Sequence, residues 1–341
     1  MLDGVETLST LGLNRALLAR QFLLKRELVL PLRVIEHLGG LQAQQSRPPF
    51  TGLWSRIDGF EAEDLRQLLR DRKVLRATTM RGTLHLVSKT DFQAWRPLLQ
   101  PMLSAGAQSI LRDRLQTFDP AAVLSHATER FQRGPRTFNA LRDELVAKFP
   151  DGDERAMGYF VRMHLPLSSV PEDDNAFDLV PDVTSQSPDG GYIENFITRY
   201  LGAFGPATIA DFQAWSGMKG AKPVFESMNL LTFRDEKKRV LYDLPGAPRP
   251  APETPAPVRL IAEFDNLVLG HADRSRIVSD AYRPRIVTRN LLVLGTFLVN
   301  GFVAGTWKRD GKKIKLDPFE PLPPKVKKAV QAEAEALPKF D

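Results

Sequence analysis

Apolar and polar positions change period several times along the chain, and each change marks an element. Residues 12–38 carry apolar side chains at helical spacing. Asn14 is placed to cap a first helix through Arg15–Leu24, and Pro31 to open a second through Leu38. Gly39 and Gly40 end it. Residues 61–72 predict another short amphipathic helix. The period then drops. Val74–Val87 is rich in β-branched residues around Gly82 and predicts strands or a hairpin. Helices followed by a hairpin is the element order of a winged helix.

That order recurs. Thr137 caps a helical pattern through Lys148, Asp153–His164 is helical, and Ala176–Val180 reads as a strand. A third copy begins at Ile193. Within it, Gly205–Gly217 has the cap, helix and closing glycine of the first helix in a helix-turn-helix, and Lys222–Met228 supplies the next helix. Leu230–Phe233 and Arg239–Tyr242 predict a small wing with Asp235–Lys238 at its tip. The recurrence lies in element order, not in residue identity. Pro245–Pro257 reads as a linker, and the chain beyond it turns to β, starting with a strand at Val258–Phe264. Asn300-Gly301, between Thr296–Val299 and Phe302–Trp307, is a two-residue hairpin signal. Asp310-Gly311 turns the chain again before Lys313–Leu316, and Pro324–Leu337 predicts a terminal helix.

Composition removes whole classes of chemistry. The 341 residues include no cysteine, which excludes disulfides, thiolate zinc sites and cysteine nucleophiles and suits a reducing cytoplasm, the expected location. The first residues lack the basic and apolar regions of a signal peptide, and no apolar run approaches a span of roughly 20 residues, so no membrane partner is expected. Histidines 37, 85, 126, 164 and 271 form no close pair and no His-Glu-x-x-His motif, so no metal is expected. Glycine-rich phosphate loops and a nucleophile elbow are absent, and no cofactor is expected. A net charge of +6 favours a polyanionic partner.

Five segments carry a resemblance. They are Leu41-Gln-Ala-Gln-Gln-Ser-Arg-Pro-Pro49, Thr79–Val87, Ala203–Phe212, Glu263–Arg274 and Val299–Lys308. Together they resemble the winged-helix DNA glycosylases of the AlkZ/YcaQ type. The resemblance implies an α+β protein of three tandem winged-helix units with a C-terminal β part, C-shaped with a basic concave face. With the element order above, the units fall at 1–90, 91–187 and 188–246, and the linker and C-terminal β-hairpin part at 247–341. It also implies hydrolysis of the N-glycosidic bond in N7- or N3-alkylated purines of double-stranded DNA; no lysine is marked for a Schiff-base step, so a monofunctional, water-using enzyme is expected, acting as a monomer. Bulky antibiotic adducts and interstrand crosslinks are further substrates of the family, with roles in DNA repair and bacterial self-resistance. A winged-helix transcriptional regulator without activity is the alternative. Such a regulator usually dimerises and carries one unit, whereas three units in one chain suit a clamp around DNA.

The family motif is Gln-x-Gln in one branch and Gln-x-Asp in the other. Gln42-Ala43-Gln44 matches the first, which implies that Gln42 and Gln44 are catalytic. Glutamine does not ionise and is no strong general base. An N7-alkylguanine, however, is already cationic and needs no protonation to leave. Its cleavage passes through an oxocarbenium-like state that needs water near C1′ and negative potential at the sugar. Amide carbonyls in a preorganised site can provide both. Residues two apart share one side of an extended segment but lie about 200° apart on a helix, so the joint role requires non-helical backbone.

Other candidates are DNA contacts. Arg47 follows the motif. Arg81, Thr83 and His85 alternate along a strand, facing lesion or phosphates, or else His85 is a satisfied strand histidine. In His271-Ala-Asp-Arg-Ser-Arg276, the resemblance implies that His271, Arg274 and Arg276 meet the DNA backbone; the other reading is a solvated loop in which Asp273 pairs with the arginines. Lys308, Arg309, Lys312 and Lys313 make a basic hairpin that tracks phosphates or only blocks strand pairing at an edge. If it tracks phosphates, removing Lys312 and Lys313 lowers affinity for DNA of any sequence. The salt slope in a titration then flattens by about 1 per lost contact.

Overall fold

The computed structural model describes residues 5–171, 173–183, 190–311 and 313–340. Helices and antiparallel hairpins alternate along it. Three times, three helices precede a hairpin: Pro31–His37, Pro48–Trp54 and Ala62–Arg70 before strands Val74–Thr78 and Leu84–Ser88; Pro120–Gln132, Phe138–Lys148 and Glu154–His164 before Leu167–Val170 and Asp173–Leu179; Gly190–Phe204, Ile209–Ser216 and Lys222–Ser227 before Leu231–Asp235 and Val240–Asp243. The caps follow from residue chemistry. Thr137 and Asp153 accept backbone N–H groups of their helices, and Thr208 and Asp211 form a reciprocal capping box. The 23-residue helix Lys89–Leu111 joins the first group to the second.

One expected cap moves. Ser9, not Asn14, caps the first helix, Thr10–Arg20, accepting from the Gly12 N–H. Asn14 lies one turn inside and is fully buried. Its Nδ2 donates to the carbonyls of Arg276 and Gly301, at 2.7 and 2.8 Å. Asn300-Gly301 makes the expected turn, between Gly295–Val299 and Phe302–Asp310. Gly301 has φ +84, and a side chain there would run into Asn14, Arg15 and Leu18. The first helix thus seats on the tip of a hairpin nearly three hundred positions away.

Three sheets organise the strands. The longest has the order Leu41–Gln42, Leu84–Ser88, Val74–Thr78, Leu167–Val170, Asp173–Leu179, Arg136–Thr137. The first two hairpins therefore share one sheet, joined at Ala77 and Ser168. In a second sheet the short strand Thr7–Leu8 pairs parallel with Leu231–Asp235. The third is antiparallel and contains Arg259–Ile261 and the two consecutive hairpins through Lys313–Pro318.

The main core draws residues from Leu17 to Leu337, while a smaller one is confined to residues between Leu84 and Phe177. Two buried ion pairs pin distant segments across the main core. Arg20 meets Asp243 through bonds of 2.7 and 2.9 Å, and Arg56 meets Asp265 through bonds of 2.8 and 2.9 Å. The linker 245–257 has no regular structure, yet it is fixed: Arg20 donates to the Pro248 carbonyl and Arg15 to that of Thr254.

Replacing Asn14 by Leu would leave two buried carbonyls short of a donor, at a cost of about 1–3 kcal/mol each. The midpoint of denaturant unfolding should fall accordingly, with the m-value unchanged.

Candidate active site

The motif loop is built from glycine backward. Gly39 and Gly40 both have positive φ, which glycine adopts freely. A side chain on Gly40 would also meet Val87 and the Leu86 carbonyl. The chain can therefore turn tightly against the first hairpin and lay Leu41–Gln42 beside it, Gln42 opposite His85. Ala43 continues the pairing by donating to the Leu84 carbonyl at 2.7 Å. Arg76 then grips the loop from behind. Its Nε donates to the Ala43 carbonyl at 2.9 Å and its Nη2 to that of Gln44 at 3.2 Å. This backbone is extended, not helical, and both amide side chains line one cleft of about 380 Å³. Gln42 is buried in its wall and Gln44 is exposed at its mouth.

The rest of the lining is Gly82, Thr83, Tyr159, Arg162, Met163, Phe264, Asn290, Leu291 and Leu292. Among the described residues of the lining there is no carboxylate, lysine or histidine. Tyr159, Arg162 and Met163 come from the helix Glu154–His164, and Phe264 precedes the buried turn at Asp265. Asn290–Leu292 sits on a turn closed by the pair Val287–Val293. Leu291 has φ +59 and is 79 % exposed. An exposed leucine in left-handed backbone is an unusual arrangement for a loop without a partner.

Arg81 is the hub. Its own φ is +56, in a turn that also holds Gly82 at φ +70. That turn aims the guanidinium inward. Nη2 donates to Gln42 Oε1 at 2.7 Å and to Asn266 Oδ1 at 3.1 Å, and Nη1 donates to the Trp215 carbonyl. Trp215 lies in the last turn of the helix Ile209–Ser216, whose carbonyl end carries partial negative charge. Among the described residues no carboxylate pairs with Arg81. Burial, and then the charge of Arg274, pull its pKa down to about 10, which leaves it a cation at neutral pH.

His85 is fully buried against Arg81. Its Nδ1–H donates to the Thr83 carbonyl at 3.1 Å, so the Nε2 lone pair faces Arg81 Nη2 at 3.5 Å. Burial and the neighbouring guanidinium push its pKa down to about 3. It is a neutral acceptor packed behind Arg81, not a surface contact.

The other candidates divide by exposure. Arg47 is exposed at the start of the helix Pro48–Trp54, and Thr83 borders the cleft. Arg274 is partly buried, with the charges of Arg81 and Arg283 near it and no partner for its Nε among the described residues. Lys308 and Lys313 are exposed on the terminal hairpin. Arg309 on the same hairpin is held at 2.7 Å by the Pro338 carbonyl. Lys312 lies outside the described residues.

His271 and Arg276 do not reach the surface. His271 Nε2 donates to the Phe204 carbonyl at 3.0 Å, and Arg276 Nη1 to that of Pro206 at 2.7 Å. Both are fully enclosed beside Asp211, whose Oδ1 accepts the Ala272 N–H at 2.9 Å. Burial, then the charge of Arg276, hold His271 well below the ordinary imidazole range. These two fix the loop 271–276 onto the third helical group rather than onto DNA. Asp273 pairs with Lys237 and Arg239, both at 2.7 Å, instead of with the arginines of its own loop.

Sequence reading missed Arg76, Arg162, Asn266 and the Asn290–Leu292 turn. Asn266 lies inside a matching segment, and Leu291-Leu292 is an apolar pair beside a turn, so each left some signal. Arg76 and Arg162 sit in patterns that read only as strand and helix. Among the described residues, no group of three or more His, Asp or Glu is placed to hold a metal ion, and no helix is long and apolar enough to cross a membrane.

Comparison with known proteins bears on this cleft. The family model for AlkZ-like DNA glycosylases matches residues 35–340, from before the motif loop to the chain's last helix and beyond. The chain belongs to the AlkZ-like DNA glycosylase family. It is 26 % identical to an interstrand DNA cross-link repair glycosylase of Streptomyces sahachiroi over 347 aligned positions, 92 % of each protein. The solved structure of the DNA glycosylase AlkZ from that organism shares the fold. It matches at TM-score 0.80, 22 % identity, over 96 % of this chain and 95 % of that one.

His85 carries a pH signature. Its imidazole titrates at its ordinary 6.5 when unfolded and at about 3 when folded, so unfolding takes up a proton between those values. Its contribution to stability is complete above the unfolded value and is lost as pH falls through the window. Between pH 7 and pH 5 that loss is about 2 kcal/mol. Denaturant titrations at the two pH values should show this difference shrink by that amount in His85→Gln.

Proposed function

We propose that this protein is a monofunctional DNA glycosylase that hydrolyses the N-glycosidic bond of N7- and N3-alkylated purines, bulky adducts and interstrand crosslinks among them. The carrying observation is the pair of amides in a cleft whose lining, among the described residues, has no carboxylate, lysine or histidine. Such a cleft has no strong acid to protonate a leaving base and no amine to form a Schiff base. It suits a leaving group that is already cationic and a nucleophile that is water. The family and the cross-link repair relative support the same reading.

The three helix–hairpin groups are proposed to be winged-helix units, at 1–90, 91–187 and 188–246, with 247–341 as linker and β part, together presenting a basic concave face to duplex DNA. The protein is proposed to act there as a cytoplasmic monomer. Arg274, crowded by like charges and short of a carboxylate, is suited to a phosphate near the lesion. Arg47, Lys308 and Lys313 are exposed and suited to the backbone further out. Thr83 stands at the lesion. The exposed Leu291-Leu292 pair beside the cleft is suited to wedge between bases and hold the damaged nucleotide near the amides. A regulator reading sequence through recognition helices has no use for an acid-free cleft of this kind.

Gln42→Ala and Gln44→Ala should each lower single-turnover excision of N7-methylguanine, and of a bulky nitrogen-mustard adduct, by tenfold or more, about 1.4 kcal/mol or above. Full excision by both variants would remove the assignment.

A further inference from the structure

We propose that Gln42 works as a hydrogen-bond donor toward the departing base, set in that role by Arg81, while Gln44 supplies the carbonyl that holds water at C1′. The proposal rests on the glycosylase reading above and divides the labour of its two amides.

A guanidinium has only donors to offer. The 2.7 Å contact from Arg81 Nη2 therefore fixes Oε1 as the atom of Gln42 turned toward the protein. The amide nitrogen is the end left over, and among the described residues nothing accepts from it. Gln42 borders the cleft, so this N–H pair is the group available to a ligand there. Gln44 differs. Arg76 holds its backbone carbonyl, but its side chain is exposed, and among the described residues no cation is bound to the amide.

Charge flow in the reaction separates the two positions. The bond from the purine nitrogen to C1′ breaks with both electrons going to the base, which leaves neutral. The sugar becomes positive and bonds to the water oxygen, and the water's proton passes to solvent. A donor polarised by a fixed cation is unfavourable beside a sugar gaining positive charge. Beside a base receiving electrons it is favourable. The acceptors of a cationic purine are poor before cleavage and improve as the electron pair arrives, so the bond from Gln42 strengthens in the transition state. An unencumbered carbonyl, as on Gln44, belongs at the sugar and the water. Arg81 then is a positioning residue: it orients Gln42 and need not touch DNA.

Gln42→Glu decides the matter. It keeps an oxygen for Arg81 in nearly the same shape but has no N–H to give at neutral pH. In single-turnover excision of N7-methylguanine from duplex DNA, Gln42→Glu should lose activity as Gln42→Ala does, roughly tenfold or more. Gln44→Glu should lose less than Gln44→Ala. Arg81→Lys keeps the charge but not the fork. It should lower the rate constant at saturating enzyme while leaving the dissociation constant for undamaged duplex and its salt slope in place. Gln42→Glu at or above the wild-type rate would overturn the donor role. Weakened binding with an unchanged rate constant in Arg81→Lys would make Arg81 a phosphate contact instead. If the wild-type protein leaves both N7-methylguanine and mustard adducts intact, it is the glycosylase reading that fails, whatever the variants do.

Discussion

A guanidinium held in a protein interior without a carboxylate is costly, because desolvation must be offset by dipoles alone. Arg81 is in that position, and the arrangement around the cleft follows from satisfying it. Three oxygens from three distant parts of the chain converge on it: the Gln42 side chain, the Trp215 carbonyl at a helix end and the Asn266 side chain. Each of those in turn has support. Gln42 sits on a strand pair, Trp215 in an aromatic cluster with Phe196 and Tyr200, and Asn266 beside the Arg56–Asp265 ion pair. Removing any one acceptor loosens the others, since they share one rigid planar donor.

The same requirement explains the character of the cleft. A carboxylate near Arg81 would neutralise it and leave Gln42 free to rotate. Among the described residues none pairs with it, which keeps the amide oriented and the pocket positive, with Arg162 in the lining and Arg274 close by. A positive pocket repels a cationic base on its own, but DNA brings phosphates that reverse the local sign. Attraction for a polyanion and tension with a cationic base are then two consequences of one charge distribution.

Much of this could be seen in the chain. The cap at Thr137, the cap-helix-glycine pattern of Gly205–Gly217, the Asn300-Gly301 turn and the proline linker rest on local chemistry, and local chemistry is what a sequence displays. Gln42 and Gln44 were visible as a motif, and the Gly39-Gly40 break fitted the extended backbone they needed. Failures came where the partner lies far away. Asn14 has the residue type of a cap, but its partners are the carbonyls of 276 and 301, which no local pattern reveals. His271 and Arg276 read as a polar loop because the buried Asp211 that accepts the loop's N–H groups is sixty positions upstream. Arg81 looked like one more surface cation. Only the fold supplies the three oxygens that turn it inward. The helix Lys89–Leu111 carries Pro97 and Pro101, and prolines inside a helix argue against one until packing overrides them.

The seat of the first helix on the Asn300-Gly301 turn has a consequence in time. Asn14 and its Gly301 partner are 287 positions apart. At ribosomal speeds of about 5–20 residues per second, the N-terminal helix leaves the ribosome roughly 15–60 seconds before the turn that buries its polar face has been made. For that interval its buried-to-be asparagine and arginines must remain in water or with a chaperone. The seat of the first helix is therefore closed only after the Asn300-Gly301 turn has been made, and the cleft, which takes Phe264 and Asn290–Leu292 from late in this sequence, is completed no sooner than those residues.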